Sequence, residues 1–200
     1  MIITEYIKIL HENGDISYGG NQSLFSNRVR KSGCGMIAAL DLMLFLGGNG
    51  DTPMTIAKYR QSEASAELWF YKNSLNLFGI SPRKIIKYLG DTLNKRRFTF
   101  VSRRRLSEEK LTELVKKATT GNIPVIIRIG ENFKTLPNTI AFTNGVFKRK
   151  MRWHYITAVN ADSGKIEFYS WGGKGKMKIT DLWRYFGFTG GIILPSDMYK

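Results

Sequence analysis

The periodicity of the apolar residues changes at Gly121, and that change limits the chain to folds that set a helical half beside a strand-rich half. Before it, apolar positions recur every three or four residues, the mark of helices with one buried face. Met36, Ile37, Leu40, Met43 and Leu44 form one such run, closed by Gly47-Gly48-Asn49-Gly50. Asp51 to Arg60 reads as a turn and a short helix, and Glu63 to Phe78 as a further helix ending at Gly79. Ser81-Pro82 supplies an N-cap and a first-turn proline for a helix over Arg83 to Lys95. Ser107-Glu108-Glu109-Lys110 opens another, running to about Thr119, after a strand over Arg97 to Ser102. Beyond Gly121 short β-rich runs follow one another: Pro124–Ile129, Trp153–Asn160, Lys165–Trp171, Lys176–Ile179 and Gly190–Leu194. The N-terminal residues 1–31 carry turn signals at Asn13-Gly14 and Tyr18-Gly19-Gly20-Asn21 and read as a helix or an extended arm. The fold class is α+β: one domain of 200 residues, with residues 1–120 mainly helical, 121–200 mainly strand, and a cleft between the two lobes.

Composition narrows the setting. An apolar share of 42% and an aromatic share of 12% suit a packed core and argue against disorder. No run of about eighteen apolar residues predicts a membrane span, and the N-terminus lacks the pattern of a secretory signal. With a single cysteine, which cannot form an internal disulfide, these features predict a cytoplasmic protein. Lys and Arg number 31 against 16 acidic residues, a net charge of +15 that favours acidic partners. The charge gathers in Arg28-Val29-Arg30-Lys31, Lys95-Arg96-Arg97, Arg103-Arg104-Arg105 and Lys148-Arg149-Lys150-Met151-Arg152. Two of these clusters immediately precede the residues that carry chemistry.

The first of those residues is Cys34, in Ser32-Gly33-Cys34-Gly35 at the head of the first apolar helix. A thiol at a helix N-terminus feels the positive end of the helix dipole, which favours the thiolate, and the flanking glycines leave room for a substrate backbone. The plain alternative is a small buried apolar residue. Of the two histidines, His11 has no chemical context, whereas His154 opens a strand that meets Lys165–Trp171 through the turn Ala161-Asp162-Ser163-Gly164. That register sets His154 opposite Gly173, with Ser170 and Trp171 close by once a bulge is allowed. Ser170 shares the inward face with Ile166 and Phe168, and its hydroxyl can satisfy a ring nitrogen of His154, while Tyr169 points to the other face. One cysteine and two distant histidines supply no metal-ligand set, so no metal or cofactor is expected.

The set resembles the papain-like cysteine peptidase superfamily, nearest to the bacterial bacteriocin-leader-processing peptidases, over about Asn27 to Leu194. Gly33-Cys34-Gly35 with its helix looks like the nucleophile helix, Gly121–Ile129 like the first core strand, and His154–Val159 like the histidine strand. Tyr169-Ser170-Trp171-Gly172-Gly173 is similar to the Asn-Ser-Trp-Gly motif, and Gly190–Leu194 to the last strand. The resemblance implies acyl transfer through a Cys34 acyl-enzyme, with His154 moving the proton and Ser170 or Tyr169 orienting the imidazole. It also implies an oxyanion-stabilising side chain some six residues before the cysteine. Arg28 stands there, leaving Asn27 as the nearest amide and Gln22 as a more distant one.

The expected function is therefore a cysteine peptidase acting on a peptide or protein substrate, with transfer to an amine acceptor as a variant of the same chemistry. A rival is a basic binding module or degenerate scaffold for an acidic partner or nucleic acid. The run Phe147-Lys148-Arg149-Lys150-Met151-Arg152-Trp153, which mixes phosphate-binding cations with stacking aromatics, favours it.

Overall fold

Alternate residues of the strand-rich half are buried on opposite faces of one sheet, and this alternation sets the architecture. The computed structural model describes residue 3 and residues 6–49, 52–72, 79–130, 139–142, 145–148 and 153–199. Its elements in chain order are β1 (Lys8–Leu10), β2 (Ile16–Tyr18), α1 (Asn27–Ser32), α2 (Cys34–Leu44), β3 (Met54–Thr55), α3 (Ile56–Tyr71), α4 (Pro82–Thr92), β4 (Phe98–Ser102), α5 (Glu108–Thr120), β5 (Val125–Ile129), β6 (Thr139–Phe142), β7 (Gly145–Lys148), β8 (His154–Asp162), β9 (Lys165–Ser170), β10 (Gly173–Lys178), α6 (Ile179–Tyr185) and β11 (Gly191–Pro195). The class is α+β. Eight strands form an antiparallel sheet in the order β4-β11-β5-β8-β9-β10-β6-β7, and β2-β1-β3 form a small second sheet.

Ile126, Tyr155, Val159, Tyr169 and Ile193 project from the large sheet into a core shared with α2, α3 and α4. Their neighbours Val125, Ile127, Ile156, Phe168 and Ile192 project the other way, into a core closed by α5 and α6. Both faces are thus covered, so the inner strands read as continuous apolar runs. Each fully buried Ile, Leu or Phe in these layers contributes roughly 1.5–3 kcal/mol.

The division at residue 120 is consequently one of sequence and not of space. β4 comes from the helical half yet pairs with β11, and α5 packs on the sheet face opposite α2. The two helices expected around Asp51 to Phe78 are a single helix, α3, because Gln61-Ser62 holds no breaker and Thr55 caps the start by accepting from the Lys58 N–H. Residues 73–78 lie outside the described residues. The next helix stops at Thr92 instead of Lys95, since Asn94 and Lys95 take left-handed backbone (φ 49° and 62°). The N-terminal arm is the β1–β2 hairpin, turned at Gly14, and α1 follows it with Ser26 as its cap. β10 starts three residues earlier than its apolar pattern suggests, and Ile179 opens α6 instead of closing a strand.

Helix α2 is buried on nearly every side. Nine of its eleven residues lie inside, including Met36, Ala39, Leu40 and Leu42, because α1, α3, α4, β5 and β8 all pack against it. A helix apolar all round belongs in the middle of a structure. Its fixed position is what holds Cys34 against the start of β8.

Candidate active site

Cys34 is the first residue of α2, with Gly33 at the N-cap. Its sulfur approaches the carbonyl oxygen of Trp153 at 3.7 Å, the residue just before His154, so helix head and strand start meet. Burial pushes the Cys34 thiol up. The backbone N–H groups of Tyr155, Gly35 and Cys34 itself, then the Arg128 charge, draw it back down. Burial is the larger effect here, so the helix-head location does not by itself produce a thiolate. The flanking glycines also have another purpose than substrate access. A Cβ on Gly33 would sit 2.5 Å from the Val29 carbonyl oxygen, and one on Gly35 3.0 Å from the Tyr155 ring. They allow α1 and β8 to close on α2.

His154 is buried at the head of β8, and its Nε2 is 2.6 Å from the Ser170 hydroxyl. The hydroxyl is donor or acceptor according to the imidazole tautomer. Trp171 stacks on the other side of the ring, with centroids 4.0 Å apart and planes 18° from parallel. The bulge that brings these residues together falls at Val159. β8 and β9 pair Ala161 with Ile166 and Asn160 with Glu167, then slip by one residue to pair Ala158 with Phe168 and Thr157 with Tyr169. β9 then ends at Ser170, beside the start of β8, and Trp171-Gly172 turn the chain into β10, so no residue of β9 stands opposite His154. Tyr169 lies on the opposite face, stacked on Tyr6 at 4.9 Å and tilted against Tyr18 at 5.7 Å. Of the two candidates for orienting the imidazole, Ser170 is the one in contact with it.

The amide beside Cys34 is Gln22 and not Asn27. Asn27 is exposed at the start of α1 and lines no part of the cleft. The reason is the unexpected α1: six of the eleven residues between Gln22 and Cys34 are spent on a helix that doubles back, bringing the preceding turn alongside. Gln22 sits in that turn and lines the cleft with Cys34, His154 and Ser170, and its side-chain N–H donates to the Arg30 carbonyl at 2.9 Å. Asn21 fixes the turn by accepting from the Ser23 N–H.

Asp41, which sequence reasoning passed over, closes the inner end of the cleft. It follows Cys34 by seven residues, two helical turns, so both share one stripe of α2 with Ile37 and Ala38. Its carboxylate accepts from the Gly20 N–H at 3.0 and 3.2 Å and from the Tyr59 hydroxyl at 2.7 Å. Burial pushes its carboxyl up to about 7, against the pull of those two donors. A carboxylate inside an otherwise apolar helix was the available signal. Gly19 (φ 72°) carries the chain past it where a Cβ would come within 2.6 Å of Asp41 Oδ2.

Two chambers flank the thiol. The inner one, with His154, Ser170, Gln22 and Asp41, spans about 310 Å³ and the outer one, with Arg128 and Trp153, about 930 Å³, each including its mouth. Among the described residues no three metal-ligating side chains converge, and no helix is long and apolar enough to cross a membrane. His11 is remote from this chemistry in role: its Nε2 pairs with the Ser17 hydroxyl at 2.9 Å and steadies the N-terminal hairpin. Residues 149–152 of the basic–aromatic run lie outside the described residues. No family model matches the sequence, and no curated protein matches it.

Proposed function

We propose that the protein is a cysteine peptidase of papain-like organisation, hydrolysing a peptide or isopeptide bond through an acyl-enzyme on Cys34. The observation that carries this reading is the imidazole of His154, bonded to Ser170 through Nε2, stacked on Trp171, and lining one cleft with the only thiol of the chain. With Nε2 engaged by the serine, Nδ1 is the nitrogen that takes the thiol proton. Since burial favours the neutral thiol, His154 acts first as general base, and then gives the proton to the leaving amine. The Cys34 N–H at the head of α2 and the Gln22 amide, which line the same cleft, are the donors this mechanism assigns to the developing oxyanion, each donor contributing about 3 kcal/mol in sites of this kind. Water, activated by the same imidazole, releases the acyl group. A serine where papain-like peptidases carry Asn or Asp is a shorter support, and Trp171 compensates by fixing the ring plane.

Digestion of a peptide library followed by mass spectrometry tests this. Cleavage by the wild-type protein, absent in Cys34→Ala and in His154→Ala, is expected. Equal cleavage patterns in all three proteins, or none in any, would overturn it.

A further inference from the structure

The outer chamber differs from the inner cleft in charge. Lys31 and Arg128 stand on its walls together with Ser32, Ile80, Trp153 and Tyr155. No carboxylate among the described residues pairs with either cation. Lys31 is exposed at the rim, while Arg128 is half-buried on β5, opposite Tyr155 of β8. Its guanidinium lies 5.5 Å from the centroid of the Trp153 ring. An aromatic face holds a guanidinium in place yet leaves its planar donors unused, the arrangement that suits a two-pronged bond to a carboxylate.

Trp153 binds this chamber to the nucleophile. Its backbone is left-handed (φ 51°), a conformation costly for a bulky residue and characteristic of functional sites. That conformation sets its carbonyl against the Cys34 sulfur and its ring against Arg128. A ligand carboxylate on Arg128 therefore rests within one or two residues of a carbonyl attacked by Cys34.

We infer that the outer chamber is a specificity subsite for an acidic side chain flanking the scissile bond, with Arg128 as the carboxylate's direct partner and Lys31 as a second charge at the rim. The inference rests on Cys34 being the nucleophile. It adds to that reading a substrate class: peptides carrying Asp or Glu next to the bond cleaved.

Two series of alkylating probes test it on the single thiol without requiring turnover. N-chloroacetyl dipeptide amides set a variable residue after the reacting carbon, and dipeptidyl chloromethyl ketones set it before; in both the Cys34 thiolate displaces chloride. Each series carries Glu, Gln or Lys at the variable position, and Cys34→Ala controls for reaction elsewhere. In one series the Glu probe is expected to modify Cys34 on the order of tenfold faster than the Gln probe, the scale of one hydrogen-bonded charge, with Lys slowest. The Glu-to-Gln ratio, which cancels changes in thiolate fraction, falls to near one in Arg128→Gln and by a smaller factor in Lys31→Gln. It persists in His154→Ala, which loses hydrolysis, so failure of the peptidase reading and failure of the subsite read out separately. A ratio near one in both series, a ratio indifferent to both substitutions, or a Cys34 that no probe reaches would overturn the inference.

Discussion

At the scale of single residues, three side chains of the cleft stand in different environments. Cys34 is pushed up by burial, His154 is held between Ser170 and Trp171, and Asp41 is a carboxyl raised to about 7 at the inner end of the same cleft. In the proposed mechanism Ser170 is a positioning residue, acting through its 2.6 Å contact with the imidazole. Ser170→Ala is expected to lower kcat by about tenfold to a hundredfold with little change in KM, while Ser170→Asn restores part of the loss; steady-state kinetics across pH checks both. The pair Cys34 and His154 was legible because each is nearly unique of its kind and each heads a regular element. Ser170 was legible from strand alternation alone. Gln22 was not, since its nearness to Cys34 depends on α1, a helix too short to leave a periodic trace. Asp41 was hidden within a run whose apolar spacing drew attention away from its one charge.

At the scale of elements, the site depends on how closely α2 lies on β8. Gly35 is the contact: a Cβ there would meet the Tyr155 ring at 3.0 and 3.1 Å and Ile85 Cδ1 at 3.2 Å, inside ordinary packing distance. Gly35→Ala is expected to move Cys34 by a few tenths of an ångström from the histidine strand. Activity falls by about a hundredfold, the scale of a small misplacement of reacting groups, while the melting temperature drops by only a few degrees; activity and thermal unfolding measured together distinguish this from general unfolding. The helices were readable from caps and spacing, as at Ser81-Pro82, where the Ser81 hydroxyl accepts from the Lys84 N–H. Their ends were less so. Pairing with β9 extends β10 through Gly173-Lys174-Gly175, where no apolar pattern exists to announce a strand.

At the scale of the whole molecule, the sheet is a partition with cores on both sides, and the cleft lies where helix α2 meets its histidine strand. That the chain would divide into helical and strand-rich halves was plain from periodicity. That β4 and α5 would cross the division was not, because only partners distant in sequence decide which sheet edge and which face are taken. Buried acids give the molecule a pH signature. The folded-state values of about 7 for Asp41 and Glu63 stand above those of unfolded carboxyls, so the folded chain holds more protons between about pH 4 and 7. Stability from these groups is present in full below about pH 4 and is lost as pH rises through 7. Asp41→Asn is expected to flatten part of that decline, by at most a few kcal/mol, leaving the share due to Glu63; denaturant unfolding at pH 5 and pH 8 measures it. That the thiol and imidazole lining this cleft form one catalytic unit is checked by following acyl uptake on Cys34 from a p-nitrophenyl ester by intact mass at neutral pH. An acyl adduct that forms and turns over in the wild-type protein is expected, with uptake slowed by about a hundredfold or more in His154→Ala. Uptake at the same rate in both proteins would contradict it.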